Sequence, residues 1–284
     1  MTSVIKPVKT SSRQHQSRQQ NLFAIVLVST GSLLSLAPGA FTAANAEVIG
    51  TDDRTTPSYE WMNRPGQQRA AFGQLEIKQQ DGKYKSCSFT VVGRNIGLTA
   101  AHCVMDPQGK PVSQLKAYAA RHGNYPGTTT PRYRALANVD WFVRGTSVYP
   151  SNAATFAKDW AVIHFTSNIG DITGWLGNVT YGDGGKALAG QNTNYIGYPG
   201  DWSAGTPALG SGKFTRFSEG MIFHNVDTAP GTSGAGMYYR VADNNLRVQA
   251  VNNSQGWRFT DGSRANGGAP LDAFMPTLKY YRGY

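Results

Sequence analysis

The sequence is poor in charge and in cysteine. Asp, Glu, Lys and Arg together make up 15% of its 284 residues, and no Lys/Arg cluster interleaved with aromatics occurs, which removes the electrostatic footprint of a nucleic-acid binder. Beyond the first 46 residues no apolar run is long enough to span a bilayer, few runs of strong helix formers occur, and there is no internal repeat or low-complexity tract. With two cysteines, no His/Cys/Glu spacing suggests a metal, and no glycine-rich phosphate loop follows a strand and opens a helix. No cofactor is expected. What the chain does hold is 33 glycines, 14 tyrosines and 40% hydrophobic residues in short runs between turns, which reads as an all-β chain. Its length suits one large β domain or two small ones.

The first 46 residues read as an export signal. A basic, acid-free start leads into an apolar stretch from Leu22 to Leu36 and then small residues ending Ala44-Asn-Ala46. Ser29 to Ser32 interrupt the stretch, which falls short of the ~20 apolar residues of a membrane span. Cleavage after Ala46 removes Lys6, Lys9, Arg13 and Arg18 and lowers the formal charge from +10 to +6. The remaining domain, residues 47–284, opens with a polar arm to Pro65.

From Ala70 the pattern becomes a meander. Phe72–Lys78, Lys85–Gly93 and Ile96–Ala100 are β-like runs separated by Asp81-Gly82 and Arg94-Asn95. Gln114–Arg121, Ala135–Arg144, Lys158–Phe165, the start of Gln191–Asp201, Gly212–Phe217, Gly220–Val226 and Leu246–Asn252 continue it. Leu271, Phe274, Met275 and Leu278 have helical spacing.

The chemistry concentrates in Thr228–Met237, TAPGTSGAGM, where Ser233 stands among glycines. A serine nucleophile needs a base beside it and fixed N–H donors for the oxyanion it generates, which the Gly231 and Ser233 amides could supply. His102 follows a run of small residues, and Cys103 next to it pairs with Cys87, as two cysteines in an exported protein do. By the loop-entropy relation that bridge stabilises the fold by about 3 kcal/mol. Asp159, opening an apolar strand, is the candidate acid, with Asp140 its rival. His15, His122, His164 and His224 have no such company and read as structural or surface residues.

His102, Asp159 and Ser233, in that order, resemble the chymotrypsin-like serine proteases. With VIGTDDR from Val48, TAAHC, DWAVI, IGYPGD and GTSG, the stretch from Val48 to Gly256 resembles their bacterial glutamyl endopeptidase branch. The resemblance implies two antiparallel six-stranded barrels, at about 66–166 and 176–270, a short C-terminal helix, and a substrate cleft between the barrels. It further implies a secreted, monomeric serine endopeptidase acting on protein or peptide substrates, with no nucleic-acid or membrane partner once the signal is removed. Asp159 would orient His102, and His102 would take the Ser233 proton and pass it to the leaving amine.

Two positions depart from the branch. Asn252 stands where glutamyl endopeptidases carry a histidine that reads a P1 carboxylate, and Asp227 lies six residues before the serine, where trypsin-like enzymes keep an aspartate for Lys or Arg. A carboxylate facing the pocket would attract a basic P1 side chain, so the lean is to Lys or Arg over Glu, with Thr228 bonding the P1 head group. The other reading of Asp227 is a carboxylate that points away and ties down the turn. Two functional alternatives stand beside the endopeptidase: a catalytically silent binding protein of the same fold, and an esterase using the same triad, although the Ser, Asp, His order of the α/β-hydrolases is absent. Maturation ends either at the signal cut or after trimming at Arg64 or Arg69.

Overall fold

The computed structural model describes residues 4–5, 47–124, 131–242 and 245–282; the rest of the expected export signal lies outside the described residues. Twelve strands make two closed antiparallel barrels. The first consists of β1 (Phe72–Lys78), β2 (Tyr84–Val91), β3 (Ile96–Thr99), β4 (Gln114–Ala119), β5 (Ala135–Arg144) and β6 (Ala161–Phe165). Its strands run in the order β5-β4-β1-β2-β3-β6, and β6 returns to β5. Closure depends on β5 being long enough to serve two neighbours. Ala135–Asn138 pair with β4, Val139–Arg144 pair with β6, and a bulge between Val139 and Trp141 turns the strand from one to the other.

The second barrel repeats this winding with β7 (Asn192–Gly197), β8 (Ala208–Ser218), β9 (Met221–His224), β10 (Gly236–Ala242), β11 (Asn245–Arg258) and β12 (Arg264–Pro270). Here β11 is the strand that serves two neighbours, and its register shifts between Asn252 and Trp257 as it passes from β10 to β12. The shifts leave Asn253, Gln255 and Gly256 out of the register with β12 while Asn252, Ser254 and Trp257 stay in it, and the whole segment Asn252–Trp257 lines the groove between the barrels.

One apolar cluster spans both barrels, and the second barrel adds separate clusters around Tyr195 and Phe214 and around Phe223. Phe89 and Phe165 pack edge to face inside the first barrel at 5.5 Å, and the spanning cluster runs on through Ile196, Tyr238, Val248 and Val251 of the second. Phe72 meets Tyr238 across the seam at 4.9 Å. The chain ends by folding back onto the first barrel. Phe274 stacks on Trp160 at 4.8 Å, and helix α1 (Met275–Arg282) buries Leu278 and sets Tyr281 against Trp141.

The N-terminal arm belongs structurally to the second barrel. Thr55 pairs with Leu209, and the Glu47 carbonyl accepts from the Asn266 side chain at 3.1 Å. Arg54, almost fully buried, bonds both Asp52 and Asp201, and these bonds, Asp52's foremost, hold the guanidinium charged despite its burial.

The expected strands are present, shifted by a few residues at their ends. Two were not read from the sequence, β10 directly after the serine and β12. The latter, RANGGAP, has no apolar alternation, because its glycines lie against neighbouring backbone and side chains where a Cβ would collide.

Candidate active site

His102 sits in a single 3₁₀ turn, Ala101–Cys103, at the end of β3. The Cys87–Cys103 disulfide, Cα atoms 6.1 Å apart, fixes that turn to β2. Asp159 precedes β6 and is fully buried. Its two carboxylate oxygens hold one residue: Oδ1 accepts the His102 backbone N–H at 2.9 Å, and Oδ2 accepts from Nδ1 of the ring at 2.7 Å. A carboxylate only accepts, so Nδ1 carries a proton, and Nε2 is the ring nitrogen not engaged by Asp159. Asn253 anchors the acid from the second barrel by donating to the carbonyls of Phe156 and Asp159.

Asp140, the rival acid, is engaged elsewhere. Its Oδ1 accepts from His164 Nδ1 at 2.6 Å, and the His164 ring stacks on Trp141 at 4.7 Å. This second Asp–His pair lies outside the cleft, and among the described residues no hydroxyl or thiol joins it.

Ser233 and His102 line the same cleft, together with Lys85, Tyr149, Gly231 and the segment Asn252–Trp257. The loop before the serine is held by its carbonyls. Pro230 O accepts from Gly200 N at 2.6 Å, and Thr232 O accepts from Asn252 Nδ2 at 3.1 Å. In a planar trans peptide the N–H points opposite to the C=O, so the N–H groups of Gly231 and Ser233 turn away from those anchors. Among the described residues neither finds a protein acceptor. Gly231 has φ +98°, and a Cβ there would come within 2.5 Å of Tyr198 O, so the turn requires glycine.

The first barrel also grips this loop. Ser88 N donates to Ser233 O at 2.8 Å, and Ser88 Oγ donates to Gly231 O at 2.9 Å. Gly234, at φ +87°, passes so close to the seam that a Cβ would lie 2.1 Å from Thr99 Oγ1.

The pocket residues expected from the sequence are arranged differently. Asp227 is buried and does not line the cleft; its carboxylate accepts the N–H groups of Ile49 at 2.6 Å and Asp53 at 3.1 Å. The pocket-facing reading is thereby corrected, and Asp227 is the anchor of the N-terminal arm. Burial and the neighbouring Asp227 carboxylate raise the Asp53 pKa. Thr228 is buried, and its hydroxyl has no protein partner among the described residues. Asn252 reaches the cleft wall, yet both ends of its amide are engaged, Nδ2 with Thr232 and Oδ1 with His224 Nε2 at 3.2 Å. Burial pushes His224 down to about 4, so this ring is neutral and donates to Asn252. The sequence reading missed Asn253 and Ser88, for which no local motif exists, and gave Gly200 no role although it lies in IGYPGD.

A family model, the trypsin-like peptidase domain, matches residues 86–242, more than half of the chain. The chain belongs to the trypsin-like peptidases. It is 26% identical over 191 residues to a glutamyl endopeptidase of Bacillus licheniformis, a match covering 67% of this chain and 54% of that protein. An extracellular metalloprotease of Bacillus subtilis is 24% identical over 244 residues, covering 82% of this chain and 71% of that one. The solved structure of a Glu endopeptidase in complex with MPD superposes with a TM-score of 0.62 at 24% identity, covering 84% of this chain and all of that one. These matches make the chain a peptidase of the chymotrypsin-like fold, similar to the glutamyl endopeptidases. The metal in the second relative's name finds no fit here: the candidate group among the described residues is Cys87, His102 and Cys103, whose sulfurs are bonded to each other.

Proposed function

We propose that the protein is a serine endopeptidase working through His102, Asp159 and Ser233. The observation that carries this reading is the double grip of Asp159 on His102 at the mouth of the cleft that Ser233 shares. Ser233 Oγ attacks the scissile carbonyl, and His102 Nε2 takes its proton and delivers it to the leaving amine. The Gly231 and Ser233 N–H groups stabilise the oxyanion, and water then hydrolyses the acyl-enzyme. Ser233→Ala and His102→Ala are expected to lower kcat by several orders of magnitude with unchanged circular dichroism, and Asp159→Asn to do nearly as much. Substantial proteolysis by either alanine variant, or a larger loss in Asp140→Asn than in Asp159→Asn, would refute the assignment. Labelling of Ser233 by a phosphonofluoridate probe separates an enzyme from a silent binding protein.

The electrostatic lean to a basic P1 residue rested on Asp227 facing the pocket, and with its carboxylate holding Ile49 and Asp53 that basis is gone. The P1 reading becomes Glu, in line with the name of the Bacillus licheniformis relative. It is supported by the arm, whereas the Thr228 side chain, buried and like Asp227 not among the residues lining the cleft, lends it nothing. Thr228 N lies 3.4 Å from Glu47 O, so a chain beginning at Glu47 would bring its α-ammonium to the segment that leads to Ser233. Matched Glu-P1, Gln-P1 and Arg-P1 substrates test it. Higher kcat/KM for Glu is expected, and preference for Arg would count against it.

Secretion through removal of residues 1–46 completes the proposal, supported by the leader sequence and the extracellular description of one relative. Among the described residues no helix is long and apolar enough to cross a membrane.

A further inference from the structure

Lys85 is a cation that the proposed reaction leaves without a role. It lies on β2 two residues before Cys87, hence on the same face of the strand, and lines the cleft beside His102. Its ammonium donates to the carbonyls of His102 at 3.0 Å and Met105 at 3.2 Å. Two of its three N–H groups are thus engaged, both by neutral acceptors. Among the described residues no carboxylate comes within 4.0 Å of it, although Asp106 and Asp159 contribute favourable longer-range fields. Burial lowers its pKa, the mark of a charge that has lost water without gaining a counter-ion.

Its position relative to the bond being cut is set by the cleft. In the proposed reaction the acyl part of a substrate stays on Ser233, with its carbonyl oxygen toward the Gly231 N–H, while His102 hands its proton to the leaving amine. The leaving fragment must then exit on the His102 side, over the Cys87–Cys103 bridge, where Ser86 and Lys85 form the wall. We infer that Lys85 is a specificity residue for the leaving fragment, selecting substrates with Asp or Glu in the first two positions after the scissile bond. An incoming carboxylate would take the third N–H and supply the missing counter-charge, whereas a Lys or Arg there would be repelled.

The inference rests on the endopeptidase reading, and one experiment separates their failures. Peptides identical except for Asp, Ala or Lys in those two positions are hydrolysed by wild-type enzyme, K85M and K85R at low and high salt. Wild type is expected to favour Asp over Lys by roughly tenfold in kcat/KM, with the ratio shrinking in salt. K85R should keep the order and K85M should lose it. Because Lys85 also ties down the turn of His102, K85M will be slower on every peptide, and the Asp-to-Lys ratio cancels that general loss. Equal wild-type rates for the three peptides, or a preference that survives in K85M, overturn this inference and leave the endopeptidase standing. Failure of wild type to cut any peptide overturns both.

Discussion

In the proposed mechanism Asn252 acts by holding the loop before Ser233. Its amide nitrogen holds the carbonyl of Thr232, and through that peptide plane it aims the Ser233 N–H; its oxygen is held in turn by the neutral His224. Asn252→Ala is expected to lower kcat by about tenfold to a hundredfold with little change in KM, since the oxyanion matters only as the transition state forms. A rise in KM alone would show that Asn252 reads the substrate instead. This role was only half legible in the sequence. Residue spacing located Asn252 and Asp227 beside the serine, but direction along the chain does not say which way a side chain points. Asp227 was read toward the pocket because its neighbours in sequence belong to the pocket, whereas its partners in space, Ile49 and Asp53, come from residues 174 or more positions away. The three residues of the proposed triad stand out in the sequence because each carries a local signature, small residues before His102, an apolar strand after Asp159 and glycines around Ser233.

Among the elements, the arm from Glu47 to Thr55 has the clearest consequence. It supplies the amides that satisfy the buried Asp227, and it carries Arg54 to Asp201 and pairs with β8 at Leu209. Trimming at Arg64 or Arg69 would strip all of this away and leave a buried carboxylate unpaired, at a cost of several kcal/mol. N-terminal sequencing of active enzyme is therefore expected to read Glu47, and Asp227→Ala should lower the urea midpoint while leaving the triad intact. A first residue beyond Arg64 in active material would contradict this. The strands that alternate or carry β-branched residues were readable, β1 and β5 to the residue. β12 was not, because its glycines are selected by close packing, a property of its neighbours rather than of its own period.

At the scale of the molecule, His224 links acidity to stability. Its value of about 4 in the fold compares with about 6.5 in the unfolded chain, so between those limits the unfolded state binds a proton that the native state refuses. The contribution of His224 is complete above about pH 6.5, declines as pH falls, and is exhausted near pH 4, for a total on the order of 3 kcal/mol. Urea midpoints taken across that window should fall in wild type and fall less in His224→Gln; equal slopes would remove His224 as the cause. The two barrels were legible through the motif resemblance and not through any repeat, since each barrel fills the same path with different side chains.

That common path does not make the halves independent. Ser88 of the first barrel carries hydrogen bonds to the carbonyls of Gly231 and Ser233 in the second, and Gly234 fits against Thr99 with no room for a methyl group. The barrels follow one path, yet a substitution in one is constrained by atoms of the other. Shrinking residue 99 would not admit a larger residue 234, because a Cβ there would also lie 2.3 Å from the Ser88 carbonyl oxygen, so change in the second half is confined by the backbone of the first.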